Sequence, residues 1–390
     1  MKHTFDYWRG VAQELSREFA QDVVDHERAG GSPVQQLERI KSSGLSTLLI
    51  AEAHGGAGAP WSLALETIRE ISAGDGSVGA LYGYHQLNII HLRREAPARW
   101  AELEREVANG NLWLSGVVNP RDDAIRFTPQ GDGFIASGRK GFCTGAAFAD
   151  RLTISGIRTD TGQPVLALLP SQRDGIRYAE DWDHLGLVRS DSGSFVLDGV
   201  MVYRDEIQYS DLNDVTNFAS AIRTPVNQSV FTQFYLGAAS GALHEARRYI
   251  HEEARAWVHS GVEKAAQDPL IINQFGELWI ALQAALALAD QAGRAVETLL
   301  NLGERFTGQQ RASTAINVAA AKVLAARTGI DVTTQVFDIM GARATHNRYG
   351  FDRFWRDVRT HSLHDPLAHK VHEVGAYALN GRTPEVLPYT

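Results

Sequence analysis

The chain has 390 residues, 44% of them hydrophobic and 22% charged, with a formal net charge of -8. That length exceeds one compact core and predicts two or three domains of a soluble protein. The acidic balance excludes a general nucleic-acid or anionic-membrane surface, since both want a basic patch.

In chain order, residues 1–110 carry helical periodicity, as in YWRGVAQELSREFAQDVVDHERAGG, where a glycine pair ends the helix. The start, MKHTFDYWRG, offers no apolar stretch for a secretory signal. HGGAGAP at 54–60 could cradle a phosphate, but no clear strand precedes it, so a turn is favoured. Residues 111–210 change to short alternating segments such as NLWLSGVV, RLTISGI and SFVLDGVMVY, punctuated by GDG, TDTG and DSGS. That pattern predicts a small antiparallel sandwich or barrel. Residues 211–390 return to long Ala- and Leu-rich helical stretches, which predict an up-and-down bundle. The greasiest run, LWIALQAALALADQAG, is too short and too polar to span a bilayer and reads as a buried core helix. A single cysteine, Cys143, excludes an intramolecular disulfide framework and suits a reducing cytoplasm.

Several groups could carry chemistry. His361, His364, His369 and His372 suggest a metal site, but Pro366 separates the pairs and no cysteine or HExxH spacing joins them. His369 and His372 read as surface or first-turn residues, and no metal is expected. GRKGFCTGAAFAD places a hydroxyl, Thr144, beside an aromatic, Phe142, where a flat ring could lie. Arg255 and Arg343 stand at helix ends and suit bidentate phosphate contacts, with surface ion pairing as the plainer reading.

Together the passages DHERAGG, REISAGDGSVG, GYHQLN, GRKGFCTGA, DWDHLGLVRSDSGS and GARATHNRYGFDRFWRDVRTHSLHDP resemble the acyl-CoA dehydrogenase superfamily across essentially the whole chain. They are most similar to its flavin-dependent monooxygenase branch, typified by dibenzothiophene monooxygenase. The resemblance implies an α+β multidomain fold: an N-terminal helical domain, a middle β-barrel or sandwich and a C-terminal four-helix bundle. It implies a two-component enzyme that takes reduced flavin (FMN first, FAD as the alternative) from a separate NAD(P)H:flavin reductase. Oxygen would then pass through a C4a-hydroperoxyflavin to a small aromatic substrate such as a thiophene, sulfide or indole. A cytoplasmic homotetramer with flavin sites completed across subunits is also implied, with no nucleic-acid or membrane partner.

Residue by residue, the resemblance puts Thr144 beside flavin N5, with Phe142 and Trp182 against the ring. Arg255 and Arg343 would hold the flavin phosphate, and Gln335 and Gly341 would contact a neighbour's cofactor. His364 would stand at the reactive edge, with His361, Tyr84, His85 and Val117 lining the pocket. Where the family has an asparagine facing the flavin this chain has Val117, and Asn119 is the candidate substitute two residues along the strand. Phe231, Phe234 and Trp279 are further candidates for the pocket wall, with core packing the plainer reading. Two other functions remain open: an acyl-CoA dehydrogenase, whose glutamate base would be replaced by the shorter Asp365, and a flavin-binding subunit without turnover. Asp365 reads better as a carboxylate that orients histidine.

Overall fold

A computed structural model describes residues 4–95, 99–118, 125–208 and 218–386. Five helices come first: α1 (Phe5–Ala29), α2 (Val34–Ser43), α3 (Trp61–Gly74), α4 (Gly76–Glu95) and α5 (Trp100–Gly110). The stripe Trp8, Ala12, Leu15, Phe19 and Val23 follows helical spacing and is the buried face of α1. Thr4 caps that helix by accepting the Tyr7 N–H at 3.2 Å. The glycine loop at 54–60 is a packing turn. The Gly58 N–H donates to Ile50 O at 2.8 Å and the Ala59 N–H to Leu48 O at 3.0 Å.

Among the described residues eight strands follow: β1 (Leu114–Val117), β2 (Ile125–Gln130), β3 (Gly133–Lys140), β4 (Arg151–Arg158), β5 (Pro164–Pro170), β6 (Ile176–Tyr178), β7 (Phe195–Tyr203) and β8 (Ile207–Gln208). They form one sheet in the order β6-β7-β3-β2-β4-β5-β8, with β1 also on β4. β5 takes one edge of β4 along its whole length, so β1 and β2 share the other edge, both parallel to it. The sheet is therefore mixed, where antiparallel pairing was expected. Alternation tells a strand which face it buries but not the direction of its neighbour.

The last region holds α6 (Phe218–Glu252), α7 (Pro269–Leu302), α8 (Gly308–Met340), α9 (Asp352–His361) and α10 (Leu367–Asn380). α6, α7, α8 and α10 make the bundle, α9 lies against α6 and α8, and α3 and α4 pack on α6. α7 corrects the buried-helix reading of the greasy run. Leu278, Leu282, Ala285, Ala289, Ala292 and Val296 face inward at alternating spacings of four and three. The opposite face leaves Leu270, Ile272, Trp279 and Ile280 exposed by 80%, 57%, 51% and 61%. By length and composition α7 could cross a membrane, yet it is tied into the fold by polar contacts. Arg69 Nη1 donates to Asp290 Oδ1 at 2.8 Å, and Glu297 Oε2 accepts the Ser62 N–H at 2.7 Å.

Candidate active site

The C-terminal motif RTHSLHDP lies where α9 ends against α4, α6 and α8. His361 closes α9, and a turn in which the His364 N–H donates to His361 O at 3.0 Å brings the two rings parallel, 5.7 Å apart. Their surroundings differ. His361 is buried, its Nε2 3.1 Å from the Tyr84 hydroxyl and its Nδ1 3.0 Å from the Tyr235 hydroxyl. Burial, together with the nearby His364 and Lys322, holds its pKa well below the usual imidazole range. His361 is thus a neutral ring with one nitrogen donating and the other accepting, clamped between two phenols.

His364 keeps 41% of its side chain exposed and shares its Nδ1 with Asp365 Oδ1 at 3.2 Å. Asp365 is itself buried: Lys322 Nζ donates to Oδ1, and Gln228 Nε2 donates to Oδ2 at 3.2 Å. Burial alone would raise this carboxyl. Hydrogen bonds from His364 and Lys322, and the Lys322 charge, overcome it and hold the group below the usual carboxylate range. Phe231 packs against both imidazoles with ring centroids 4.8 Å away, and Tyr84 and Phe234 continue the aromatic wall.

The second wall comes from two facing loops of the sheet region. After β3 the chain turns through Phe142, and the Cys143 N–H donates to Gly193 O at 3.0 Å, docking GRKGFCTG on RSDSGS. Thr144 Oγ1 lies 2.9 Å from Ser192 Oγ, which lies 2.8 Å from Ser190 Oγ, a chain of three hydroxyls. Phe142, Leu187 and Asp191 all have positive φ, at 56°, 53° and 45°. Three non-glycine residues in that region within two loops mark a backbone held in an uncommon shape, which clusters at functional sites. Phe142 is 62% exposed and meets Trp182 and His184 edge-on. Trp182 and His184 stack at 3.7 Å, and Trp182 Nε1 donates to Leu187 O at 2.8 Å.

A buried carboxyl joins the two walls. Asp357, one turn before His361 on α9, accepts the Leu187 N–H at 2.6 Å. Gly186 permits this approach, because a Cβ there would stand 2.2 Å from Arg356 C and O. Burial, reinforced by repulsion from Glu27, pushes the Asp357 pKa up to about 8.

Not every expected residue is in this cluster. His85 neighbours Tyr84 in sequence, but one residue turns a helix by roughly 100°, and His85 points into the core. It accepts the Leu114 N–H at 3.0 Å, reaches Ser46 O at 2.7 Å and stacks on Trp113. Burial lowers its pKa to about 4, so it is a neutral core histidine and not part of the wall. Val117 is buried at the end of β1, and Asn119 lies outside the described residues. The Asn88 side chain lies where a Cβ on Gly116 would stand 2.9 Å from its Oδ1, and Nδ2 donates to Tyr84 O at 2.8 Å. His369 and His372 are exposed on α10, and Trp279 is on the outer face of α7.

Arg255, Gly341 and Arg343 are exposed and Gln335 is half-buried, all toward the far end of α6 and α8. Neither guanidinium makes a side-chain hydrogen bond or ion pair among the described residues, and Arg343 has only the neutral phenol of Tyr249 near its charge. From Tyr235 to the end of α6, and from Lys322 to the end of α8, the helical rise is roughly 25 Å. One chain therefore does not bring these residues to His364. Sequence reasoning missed Lys322, Gln228, Tyr235 and His184. Only Lys322 gave a signal, as the one cation in the apolar run AINVAAAKVLAA.

The exposed Phe142, the stacked Trp182 and His184 and the hydroxyl chain fit the face and polar edge of a flat flavin ring. Comparison with known proteins identifies the family. The N-terminal and C-terminal domains of the acyl-CoA dehydrogenases match residues 7–94 and 229–368. Dibenzothiophene monooxygenase of Rhodococcus erythropolis is 38% identical over 389 residues, covering 96% of this chain and 93% of that one. The chain belongs to the dibenzothiophene monooxygenase family. A solved structure of TdsC from Paenibacillus sp. A11-2, with FMN and indole, has 38% identity and a TM-score of 0.94, covering 98% and 99% of the two chains. Methanesulfinate monooxygenase MsuC from Pseudomonas fluorescens has 34% identity and a TM-score of 0.93 over the same shares. Within this family of monooxygenases the fold is that of the acyl-CoA dehydrogenases.

Proposed function

We propose that this chain is the oxygenase of a two-component system that takes reduced FMN from a separate NAD(P)H:flavin reductase and oxygenates a flat, apolar heteroaromatic compound. The aromatic wall of Tyr84, Phe231 and Phe234 around two imidazoles is the observation that carries this reading. When bound, reduced flavin supplies two electrons and activates O2, so one oxygen atom enters substrate and the other leaves as water. Thr144, backed by Ser192 and Ser190, is suited to a hydrogen bond at the ring edge near N5, with Phe142 and Trp182 against the ring. Asp365 accepts from Nδ1 of His364, which turns Nε2 toward the open side, where it gives or takes a proton beside the reacting oxygen. The apolar wall keeps water from competing for that proton.

The dehydrogenase alternative needs a free carboxylate to abstract an α-proton. Asp365 has both oxygens engaged and is held ionised by its partners. A small anionic substrate, as the name of the methanesulfinate relative implies for that protein, is less well served. Lys322, 5.8 Å from the Phe231 ring, is already neutralised by Asp365. Assembly into a homotetramer is part of the proposal. It is supported by the exposed apolar face of α7 and by Arg255 and Arg343, which could meet a flavin phosphate only in another copy, with Gln335 and Gly341 alongside. The family's asparagine position, taken by Val117, leaves Asn119 or Asn88 as amides for the pocket.

Reductase-coupled assays with NADH, FMN and, in turn, indole, dibenzothiophene and methanesulfinate test this. Oxygenated aromatic product is expected, with sulfinate turned over at least tenfold less efficiently. Preference for the sulfinate, or desaturation of an acyl-CoA thioester, would overturn it.

A further inference from the structure

Lys322 is a buried cation to which the reading above gives no part in proton transfer. Its side chain is fully buried on α8, in a face otherwise made of Val318, Ala319, Ala325 and Ala326. Burial lowers the proton affinity of the ammonium, and the charge of Asp365 restores part of it. A buried ion pair is a poor source of stability, and well-packed apolar replacements are often neutral or better. The pair is placed one residue from His364, and Asp365 Oδ1 is shared between the ammonium and the imidazole. Gln228 occupies the other oxygen, so the carboxylate cannot swing away.

We propose that Lys322 is a positioning residue that sets the proton affinity of His364 through Asp365. This rests on the reading of His364 as the proton-transfer group. Asp365 fixes the proton on Nδ1 and leaves Nε2 as the working nitrogen. Left alone, a buried carboxylate in contact with an imidazole would lock it as imidazolium. Lys322 cancels that charge, so the imidazole is not fixed in one charge state and Nε2 can both give and take a proton. Other groups face this unit: neutral His361 stacked on His364, the Tyr84 and Tyr235 hydroxyls behind it, and Lys370 and Glu373 of α10 on the Lys322 side. Lys370 and Glu373 pair with each other at 3.0 Å, and both phenols are held neutral by burial, which leaves Asp365 and Lys322 as the charges that decide.

The test is a ¹⁵N-histidine NMR titration of the full chain, with the His364 signal assigned by its loss in His364→Gln. Lys322→Met should raise the His364 midpoint by about one unit or more, and Asp365→Asn should lower it and mix the two tautomers. Lys322→Arg, which keeps the charge, should titrate like the wild type. Midpoints that stay put in folded variants, or that move in the same direction in Lys322→Met and Asp365→Asn, would overturn the proposal. Should Lys322→Met fail to fold, Lys322→Gln replaces it with the same expected direction. The pH profile of product formed per NADH should move with the midpoint. If the NMR midpoints shift as expected and that profile does not, charge setting stands and the role of His364 in oxygenation is what fails.

Discussion

The two walls of the site hold their shape by different means. On the sheet side, three residues with positive φ, two docked loops and a chain of hydroxyls present Phe142 and Thr144. On the bundle side, a buried lysine–aspartate pair and a Tyr–His–Tyr clamp hold two imidazoles, one at the end of α9 and one in the turn after it. A wall shaped by backbone fixes where a flat ring lies and tolerates small changes of side-chain chemistry. A wall shaped by buried charge fixes protonation and tolerates little, since removing one partner strands the other. The difference suits a cofactor that must be seated and an oxygen that must be protonated on time.

The largest expected effect breaks the bundle wall. His364→Ala should lower product formed per NADH by about tenfold to a hundredfold, since a lost hydrogen bond to a charged group costs about 1.5–3 kcal/mol. Hydrogen peroxide should take up the difference while flavin still binds, as read by oxidase-coupled assay. Next comes the sheet wall. Gly186→Ala forces a Cβ into the Arg356 backbone, and should lower the denaturation midpoint and flavin affinity together, by fluorescence titration. Arg343→Ala should weaken FMN binding about tenfold with unchanged melting temperature, since the side chain is exposed and makes no ion pair among the described residues. Tyr235→Phe removes a hydroxyl from His361 but not its ring contact, and should change kcat severalfold at most with KM unchanged.

The smallest effect lies where the walls join. The folded pKa of Asp357, about 8, is above its ordinary value of 3.8. The stability tied to its protonated form is therefore fully present below about pH 4 and is lost as pH rises toward 8. Asp357→Asn keeps an acceptor for the Leu187 N–H and removes the titration. Its melting temperature should exceed the wild type's by more at pH 8 than at pH 5. Equal differences at the two pH values would contradict that assignment.

Much of this site could be read in the sequence, for physical reasons that also say where reading stops. His361, His364 and Asp365 sit in one short motif, and Thr144 in another, so local spacing carries them. Lys322 was missed although it left a signal, because a cation within AINVAAAKVLAA breaks an apolar helix face and demands a partner. Its partner lies 43 residues away, which spacing cannot supply. Tyr235 and Gln228 ride a helix whose apolar neighbours hide them as core. His85 was misplaced although helical geometry forbids adjacent residues from sharing one face. α7 has two apolar faces, and the sequence does not say which one the chain itself covers. The mixed pairing around β4 was likewise out of reach, because strand direction depends on the path between strands.

The most direct measurement is a single turnover: the protein loaded with anaerobically reduced FMN is mixed with ¹⁸O2 and indole, and the product is weighed by mass spectrometry. One ¹⁸O atom per product, with yield reduced in His364→Ala and flavin binding retained, is the predicted result. Unlabelled product, or a labelled yield that His364→Ala leaves unchanged, would contradict the account.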